Sequence, residues 1–518
     1  MIKFTNTLLF LSGLYVFSTV NKPVMDEPKT GVVITAHSGG SNVKENPVIP
    51  GDFADPSLIR RGNTYYATGT SSEWAPHYPV FTSTDLIHWK QLGYVFNQTP
   101  SWASASFWAP ELFYRNGTYF VYYVARRKSD GISCIGVATA KDPAKGFTDH
   151  GVMLEFGKEA IDPFVIEVDG QLYMTWKAYG LDKRPIEILG SRLSADGMKL
   201  EGEPFMLLRD DDKKGIEGQC IVKKGNYFYL LYSLGACCGR GCTYQVEVAR
   251  ATAIQGPYTR FTGNPVLAET AEWKCAGHGT VVTAKDGKDY YLYHAYNKAD
   301  HVYTGRQGML SELRWDQPGG WPSLHPMGAN AAAIRNFRDE FTQPTLAGDW
   351  QWDFRHTKPA WKLTGGTLAL SGTPDAKNPT GTALTVRPLS GDYTITTEVA
   401  NHNESLKGLV LYGDAGQSVG IGVKGNRLQI REVKNDKTTI AHEEAIDHIK
   451  PLTLKIQVEK GYLCRFFRGD GKGGWTEVNT QGASYNAGFL PPWDRSPRPG
   501  LLQQGSDPAA FSYFSIAY

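Results

Sequence analysis

Two Asp-Pro pairs in this sequence stand directly before segments that have the pattern of β-hairpins. The segments are DPSLIRRGNTYYATGT, starting at Asp55, and DPFVIEVDGQLYMTW, starting at Asp162. Two carboxylates held close together in a folded protein repel each other, which raises the pKa of at least one of them. One group can then donate a proton while another accepts one, which is the division of labour in general acid–base catalysis.

The same pattern occurs three more times, which indicates an internal repeat. The further copies are APELFYRNGTYFVYYV from Ala109, EGQCIVKKGNYFYLLYS from Glu217 and HGTVVTAKDGKDYYLYHAY from His278. Each copy passes from an apolar strand through a glycine-containing turn into an aromatic-rich strand. The first residues of the copies lie 53 to 61 residues apart. A repeat of this length is typical of a four-stranded propeller blade, so the sequence predicts five blades.

Propeller geometry would bring the first residues of the five copies together. The innermost strand of each blade runs beside the central channel, so we expect Asp55, Ala109, Asp162, Glu217 and His278 to lie on one ring at its mouth. A purely structural repeat does not need acids there, because their mutual repulsion is destabilising. The pattern therefore predicts a functional site. An isolated Asp-Pro can simply begin a strand, as in Asp142-Pro143, which opens no repeat.

Composition and charge narrow the class of protein. The 518 residues include 13 Trp, 27 Tyr, 23 Phe and 56 Gly, which favours an all-β protein with many turns. Exposed aromatic rings in such a protein can stack on sugars, although most are expected to be core. The 54 Lys and Arg nearly balance the 52 Asp and Glu, so no basic field indicates nucleic acid as a partner.

The two ends of the chain differ from the repeats. Lys3 and the apolar run Leu8–Val20 have the pattern of a secretory signal, and we assign residues 1–22 to it. The run is shorter than the roughly 20 residues of a spanning helix, and no later segment is apolar enough to span a membrane. The expected location is secreted or periplasmic. Residues 45–330 form the predicted propeller, and the alternating runs of residues 338–518 predict a β-sandwich.

Five motifs occur in order along the propeller: NPVIPGDFADPS, FWAPELF, EAIDPFV, IEGQ and GHGTVV. Together they resemble glycoside hydrolase family 43 over roughly residues 47 to 327. The resemblance implies that Asp55 is the general base, that Asp162 tunes the pKa of the acid and orients it, and that Glu217 is the general acid. Inverting hydrolysis needs one protonated and one ionised carboxyl group about 6.5–9.5 Å apart, which different blades can provide. We expect the anionic Asp162 to keep Glu217 protonated near neutral pH.

The resemblance also implies supporting roles. Trp74 and Trp108 are candidates for stacking on a sugar, and Arg306 for hydrogen bonding to its hydroxyls; the alternatives are core tryptophans and a surface arginine. His278 is a candidate ligand of a calcium or sodium ion held largely through water, or a plain hydrogen-bonding residue. Glu187 is a rival acid of lower rank than Glu217.

The cysteines raise a separate question. Seven are too few for a disulfide scaffold, and ACCGRGC has no zinc-binding spacing. A local disulfide is favoured over reduced thiols. The segment is similar to arabinanase-like family members with a Cys-Cys pair, but it has Cys242 where a serine is usual. Cys237–Cys238 and Cys238–Cys242 are both candidate bridges.

The resemblance leads to a functional expectation. We expect an exo-acting, inverting enzyme that needs no cofactor and releases terminal α-L-arabinofuranosyl units from plant polysaccharide or oligosaccharides. A β-xylosidase and an exo-β-galactosidase are the alternatives within the family. A non-catalytic carbohydrate-binding propeller would instead repeat equivalent sites, whereas the first residues of these five copies differ. The sandwich could bind carbohydrate, close one side of the site or only stabilise the propeller.

Overall fold

Regular structure in the described part of the chain is almost entirely β-strand. The computed structural model describes residues 47–327, 334–447, 451–470, 472–478 and 483–518. The predicted signal peptide, residues 1–22, lies outside these ranges. Within them, no helix has the length and apolar character needed to cross a membrane.

The first 21 strands build the predicted propeller. Their bounds, in chain order with the two short helices, are β1 Ser57–Arg61, β2 Thr64–Thr68, β3 Trp74–Ala75, β4 His77–Ser83, β5 Lys90–Phe96, β6 Ala103–Arg115, β7 Thr118–Arg127, β8 Ser133–Ala140, the 3₁₀ helix Pro143–Lys145, β9 Thr148–Leu154, β10 Glu159–Val168, β11 Gln171–Tyr179, β12 Glu187–Leu193, β13 Leu200–Arg209, β14 Ile216–Lys224, β15 Tyr227–Leu234, β16 Gln245–Ala251, β17 Thr259–Arg260, β18 Trp273–Thr283, β19 Asp289–Asn297, α1 His301–Thr304, β20 Gln307–Gln317 and β21 Trp321–Pro326.

Twenty of these strands, all except β3, form five antiparallel blades of four. The blades are β1-β2-β4-β5, β6-β7-β8-β9, β10-β11-β12-β13, β14-β15-β16-β17 and β18-β19-β20-β21. Blades 2 and 3 are joined by one parallel bridge between Ser133 and Glu159. The inner strands β1, β6, β10, β14 and β18 pack against one another in turn, and β18 packs back on β1, which closes the ring. The predicted five-bladed propeller is confirmed.

A β-sandwich follows the propeller, as predicted. Its strands are β22 Phe337–Asp339, β23 Trp352–Asp353, β24 Thr357–Thr364, β25 Thr367–Pro374, β26 Thr382–Thr385, β27 Tyr393–Val399, β28 Leu406–Asp414, β29 Gln417–Lys424, β30 Arg427–Lys434, β31 Lys437–Ala445, β32 Leu452–Glu459, β33 Leu463–Gly469, β34 Trp475–Glu477, β35 Tyr485–Asn486, β36 Arg498–Gln504 and β37 Ala509–Ala517. One sheet has nine strands with β37 and β27 at its centre, and the other has six, in the order β26-β36-β28-β29-β30-β31. Apolar side chains of both sheets meet in one core.

The sandwich is attached directly to blade 1. β23 pairs with β3, which lies outside the four-stranded ladder of blade 1. Trp74 in β3 is 1% exposed and packs on Tyr412 and Leu502 of the sandwich. A ring buried in this contact cannot stack on a sugar, so the predicted role of Trp74 in the wall of the site is wrong.

The inner strands are irregular at the residues predicted to begin the blades. Asp162, Glu217 and His278 each lie inside a strand where the register shifts, and Asp55 lies two residues before β1. Asp55, Asp162 and His278 have φ of 51°, 55° and 42°. Residues other than glycine rarely adopt this conformation, and it concentrates at functional sites. Each bulge redirects one side chain of an otherwise regular strand.

Glu111 on β6 joins three blades from inside the ring. Its Oε2 accepts a hydrogen bond from the hydroxyl group of Ser57 at 2.6 Å, and its Oε1 accepts one from the N–H of Val165 at 3.3 Å. Burial raises the pKa of Glu111 from 4.5 to about 8, although both hydrogen bonds act in the opposite direction. Folded protein therefore holds a proton here that the unfolded chain releases near pH 4.5.

This difference in proton binding predicts a pH effect on stability. Because the folded-state pKa is raised, the free energy of unfolding should fall as pH rises from about 4.5 to 8 and then level off. Glu111→Gln removes the ionisable group; its amide oxygen can still accept the N–H of Val165, and its NH2 group can donate to Ser57 Oγ instead of accepting from it. The stability of the variant should therefore fall less over this window. Thermal unfolding of both proteins at pH 5 and pH 8 measures the effect. Parallel pH profiles would show that Glu111 does not titrate in this window.

Candidate active site

Asp55 is an ionised carboxylate in a cationic environment. Arg306 Nη1 donates to Oδ1 at 3.1 Å, and Thr70 Oγ1 donates to Oδ2 at 2.6 Å. The Nδ1 atoms of His278 and His294 lie 3.4 Å and 3.3 Å from Oδ1. Burial acts to raise the pKa of Asp55, but the Arg306 guanidinium above all, with His278 and the Thr70 hydroxyl, outweighs it and holds the pKa well below its usual range.

Asp162 is held by the next blade. The N–H of Gly218 donates to its Oδ2 at 2.9 Å, and His278 Nδ1 lies 4.0 Å from the same oxygen. Burial raises the pKa of Asp162 to about 6; the nearby Glu217 adds to the shift and His278 opposes it. Gly218 has φ of 61°, and a Cβ there would lie 2.8 Å from Cγ of His278, so this position requires glycine.

Glu217 has a hydrogen-bond donor on each oxygen. Lys177 Nζ donates to Oε2 at 2.6 Å, and Tyr244 Oη donates to Oε1 at 3.0 Å. Burial acts to raise the pKa of Glu217, but the Lys177 ammonium lowers it below the usual value. The expectation that Asp162 keeps Glu217 protonated is therefore wrong for this arrangement. Asp162 has the higher pKa of the two acids, because the Lys177 ammonium contacts Glu217.

Two histidines complete the group. His278 lies between Asp55 and Asp162. Glu217 directly precedes Gly218, whose N–H donates to Asp162, and its charge acts on the pKa of Asp162. We call Asp55, Asp162, Glu217 and His278 the acid cluster. His294 is fully buried below Asp55, and its Nδ1 accepts the N–H of Asp55 at 3.0 Å. Burial lowers the pKa of His294 well below 6.5, so this ring is neutral.

Metal ligands are sparse around His278. Over the described residues, no group of three or more His, Cys, Asp or Glu side chains has an arrangement that would hold a metal ion. A calcium or sodium ion beside His278 would therefore take most of its ligands from water, as hard cations readily do. The ion near His278 stays a prediction.

The sandwich contributes directly to this side of the propeller. Arg306 Nη2 donates to the carbonyl oxygen of Asp494 at 2.9 Å, and Trp108 Nε1 donates to Asp494 Oδ2 at 3.2 Å. The neighbouring Trp493 is 59% exposed, and its ring centroid lies 6.1 Å from that of Trp108. The predicted sugar-stacking residue Trp108 is thus partly exposed beside a second, far more exposed tryptophan. Three alternative roles were predicted for the sandwich. The position of residues 493–494 favours the one in which the sandwich closes one side of the site.

The cysteines form two bridges in the loop after β15. Cys237 pairs with Cys238, which is one of the two predicted alternatives. Cys242 pairs with Cys275 of β18, so the alternative Cys238–Cys242 is wrong. The loop between the bridges also meets the sandwich, because Gly239 lies against Trp493.

The rival acid has a different environment. Glu187 is buried on β12 and pairs with Arg184 at 3.5 Å. None of the contacts described for the acid cluster involves it.

Comparisons with known proteins agree with this geometry. The family model described as "Glycosyl hydrolases family 43" matches residues 44–322. This chain belongs to glycoside hydrolase family 43. A second model, "Beta xylosidase C-terminal Concanavalin A-like domain", matches residues 338–489, within the sandwich.

Relatives of this family 43 glycoside hydrolase carry several activities in their names. "Extracellular exo-alpha-(1->5)-L-arabinofuranosidase ArbA" of Cellvibrio japonicus is 31% identical over 53% of this chain and 86% of its own length. "Non-reducing end alpha-L-arabinofuranosidase BoGH43B" of Bacteroides ovatus is 27% identical over 63% of this chain and 65% of its own length. The structure of BlXynB from Bacillus licheniformis, at 23% identity, covers 92% of this chain and 99% of its own with a TM-score of 0.77, which supports the two-domain fold.

Several residues around the acid cluster of this family 43 enzyme were not identified from the sequence. Lys177 lies in WKAYG, a segment that matched no assignable motif; it pairs in register with Ile161, directly before Asp162. Lys177 is the one charged residue of β11, and this is the feature by which the sequence could have identified it. His294, Tyr244 and Trp493 carried no comparable signal, because buried and exposed aromatic residues look alike in sequence.

The contact between Asp55 and Arg306 predicts a measurable coupling. Arg306→Met leaves a buried carboxylate without its main partner, which should cost about 3–5 kcal/mol of unfolding free energy near neutral pH. The depressed pKa of Asp55 means that this stabilisation is present above the unfolded value of 3.8 and is lost as pH falls towards the folded pKa. Denaturant unfolding of Arg306→Met, Asp55→Asn and the double variant measures the coupling. Strictly additive losses would show that the two side chains do not interact.

Proposed function

We propose that this enzyme is an inverting exo-glycosidase that removes terminal α-L-arabinofuranosyl units from plant cell-wall polysaccharides or their oligosaccharides. The observation that carries the proposal is the contrast between Asp55 on blade 1, which Arg306 keeps ionised, and Asp162 and Glu217 on blades 3 and 4, where the charge of Glu217 helps to raise the pKa of Asp162. One carboxylate can accept a proton while another supplies one, which is what hydrolysis of a glycosidic bond requires.

In the proposed reaction, Asp55 is the general base. A water molecule attacks the anomeric carbon, its proton passes to Asp55, and the bond from that carbon to the leaving oxygen breaks. Glu217 gives its proton to the leaving oxygen. Attack from the face opposite the leaving group inverts the anomeric configuration. Arg306 and Thr70 hold Asp55 in place. Arg306 is 3% exposed, so it is not a surface arginine, and both of its Nη atoms donate within the protein; the predicted hydrogen bond to a sugar hydroxyl would require one of these contacts to open.

We propose that Asp162 and Lys177 act on the pKa of Glu217 in opposite directions: Lys177 lowers it, and Asp162 raises it when Asp162 is ionised. Asp162 is protonated below about pH 6, and the Gly218 N–H holds its Oδ2 in place. In the free enzyme both oxygens of Glu217 accept hydrogen bonds, so the leaving oxygen must take the place of one donor. Displacement of Lys177 from Oε2 by substrate would raise the pKa of Glu217 at the moment when it must carry a proton.

Two observations support exo action on arabinose-containing chains. Trp493 and Asp494 of the sandwich lie beside Trp108 and Gly239, and Asp494 accepts a hydrogen bond from Arg306, the partner of Asp55. We propose that they narrow the approach to the acid cluster, which favours a chain end over a continuous chain. The relatives from Cellvibrio japonicus and Bacteroides ovatus are both named as arabinofuranosidases, and the names of both specify exo or non-reducing-end action.

A β-xylosidase is the second candidate. The sandwich matches a domain described as the C-terminal domain of β-xylosidase, and the Vibrio relative named "Xylan 1,3-beta-xylosidase" is 27% identical. Small differences in a sugar pocket are worth only about 1–3 kcal/mol, so one site can serve both sugars.

We also propose that the enzyme is exported from the cell. The relative from Cellvibrio japonicus and an arabinanase of Bacillus subtilis are both named as extracellular, which supports a secreted or periplasmic location. We propose that the reaction needs no cofactor, because the proposed acid and base are side chains of this chain; an ion near His278 has no part in the steps above.

A product analysis tests the substrate and the stereochemistry together. Arabinan and arabinoxylan digests followed by NMR from the first minutes should show free arabinose with the anomeric configuration opposite to that of the substrate. Long oligosaccharides at early times would contradict exo action. Release of xylose or galactose alone would contradict the arabinose assignment, and retained configuration would contradict the inverting mechanism.

Removal of the proposed acid or base should abolish most activity without unfolding the protein. Asp55→Asn and Glu217→Gln should each lower kcat about 10²–10⁴-fold or more, because a positioned acid or base contributes about that much. Steady-state kinetics on an aryl α-L-arabinofuranoside measures the loss, and circular dichroism checks the fold. Glu187→Gln is the matched control, since it also removes a buried carboxyl and should keep wild-type turnover. Normal turnover in either of the first two variants would remove that residue from the mechanism.

Lys177 should control the alkaline limb of the pH profile. Lys177→Met removes the ammonium that lowers the pKa of Glu217, so the proton should stay on the acid to higher pH. The alkaline limb of kcat/KM should then move upward by about one to three pH units, the effect of a nearby opposite charge. An unchanged limb, in a variant with a normal circular dichroism spectrum, would contradict this role.

A further inference from the structure

A large cavity lies between the propeller and the sandwich, and it adjoins the acid cluster at Thr70, which lines it and donates to Asp55. Its volume is about 640 Å³, within the range of small-molecule sites. Blade 1 contributes one wall through β4, β5 and the loop between them, and the sandwich contributes the other through residues near β22, β26 and β36. None of Asp55, Asp162, Glu217 and His278 lines it.

Positive charge dominates this interdomain cavity. Its lining includes Lys90, Arg335, Arg387 and Arg498 but only two acids, Asp52 and Asp349. Asp349 is paired with Arg335 at 2.5 Å. The two carboxylate oxygens of Asp52 accept backbone N–H groups of Arg306 and Ser496, both at 3.1 Å. Both acids therefore have other partners.

Within the described residues, the hydrogen bonds shown for Arg498 and Arg387 go to neutral oxygens, and the Asp52 carboxylate acts on both charges without forming an ion pair with either. Arg498 is 4% exposed; its guanidinium lies over the Trp74 ring and donates to Gln351 Oε1, and its Nε has no partner among the described residues. Arg387 donates from Nη1 to the carbonyl oxygen of Asp52 at 3.3 Å and lies over the Phe81 ring. Burial lowers the pKa of both arginines, to about 9 for Arg498. Buried cations normally have an anionic partner, because desolvation of an unpaired charge is costly.

We propose that this interdomain cavity is a binding site for a small oxyanion, held between Arg387 and Arg498. A guanidinium matches a carboxylate or a phosphate through two parallel N–H donors. The chemistry fits both the carboxylate of a sugar acid and free inorganic phosphate. The rest of the lining favours the sugar acid, since Phe81, Trp89 and Tyr94 supply aromatic surface of the kind on which a polyhydroxylated ring packs.

The site would link the two domains without entering the acid cluster. Arg387 comes from the segment after β26 and Arg498 begins β36, so both belong to the sandwich, while the aromatic wall belongs to blade 1. An anion bound there joins the two walls and stabilises the folded chain in proportion to its occupancy. Binding of an anion in this cavity does not depend on which sugar the enzyme releases.

Isothermal titration calorimetry on the full purified chain, in a buffer free of oxyanions, tests the proposal. The probes are D-glucuronate, inorganic phosphate and neutral D-glucose. Glucuronate should bind once per chain and raise the Tm with concentration, and glucose should do neither. Tighter binding of glucuronate identifies a sugar acid as the ligand, and tighter binding of phosphate identifies the inorganic ion.

Variants locate the binding. Arg387→Gln and Arg498→Gln should each weaken anion binding at least tenfold. Arg431→Gln, which alters another partly buried arginine of the sandwich outside this cavity, should leave it unchanged. Absence of binding by both anions at millimolar concentration overturns the proposal, as does unchanged binding in both cavity variants. A crystal soaked with glucuronate gives a readout that needs no variant: density between Arg387 and Arg498 supports the site, and density elsewhere alone refutes it.

Discussion

The pairing of Asp55 with Arg306 connects the parts of this molecule on which its chemistry depends. Arg306 lies just before β20 of blade 5, Asp55 just before β1 of blade 1, and the second Nη of Arg306 donates to Asp494 of the sandwich. The backbone N–H of Arg306 also reaches Asp52, whose other oxygen accepts the N–H of Ser496. One buried guanidinium therefore joins the first and last blades to the second domain. Without it, the buried Asp55 would lose its strongest stabilising charge.

The acid cluster also depends on local backbone irregularity. A regular inner strand alternates its side chains between two faces, whereas the bulges at Asp162, Glu217 and His278 turn single side chains towards a common point. Hydrogen bonds from neighbouring blades compensate for the strained backbone. Gly218 donates to Asp162, and Ser233 Oγ accepts the N–H of His278 at 2.8 Å. The strain is thus maintained by contacts that exist only when adjacent blades pack together.

Four carboxyls on or directly before the inner strands, three of them buried and Glu217 partly buried, show how environment alone separates their chemistry. Asp55 faces Arg306 and is ionised, Glu217 faces Lys177 and has a lowered pKa, Asp162 has a pKa of about 6, and Glu111 has one of about 8. Burial acts to raise the pKa of all four. The difference comes from the cations beside Asp55 and Glu217, which Glu111 lacks and which reach Asp162 more weakly.

The sequence by itself determined the repeat, the number of blades and the residues that meet at their inner ends. Turn glycines and aromatic strands recur with a period that local physics makes visible, because a hairpin needs positive φ at its turn and alternation along its strands. The sandwich was likewise predictable from its alternating runs. These features depend on neighbours within about 20 residues along the chain.

Only the tertiary structure decided what surrounds those residues. It buried Trp74 between the domains, joined Cys242 to Cys275 across two blades, and placed Trp493 of the sandwich beside Trp108. It also set Lys177 against Glu217, which reversed the expected direction of that pKa. Each outcome is a contact between segments that are distant in sequence or lie on different strands. Such contacts follow from the closure of the ring and the docking of the second domain, and no local pattern of residues encodes them.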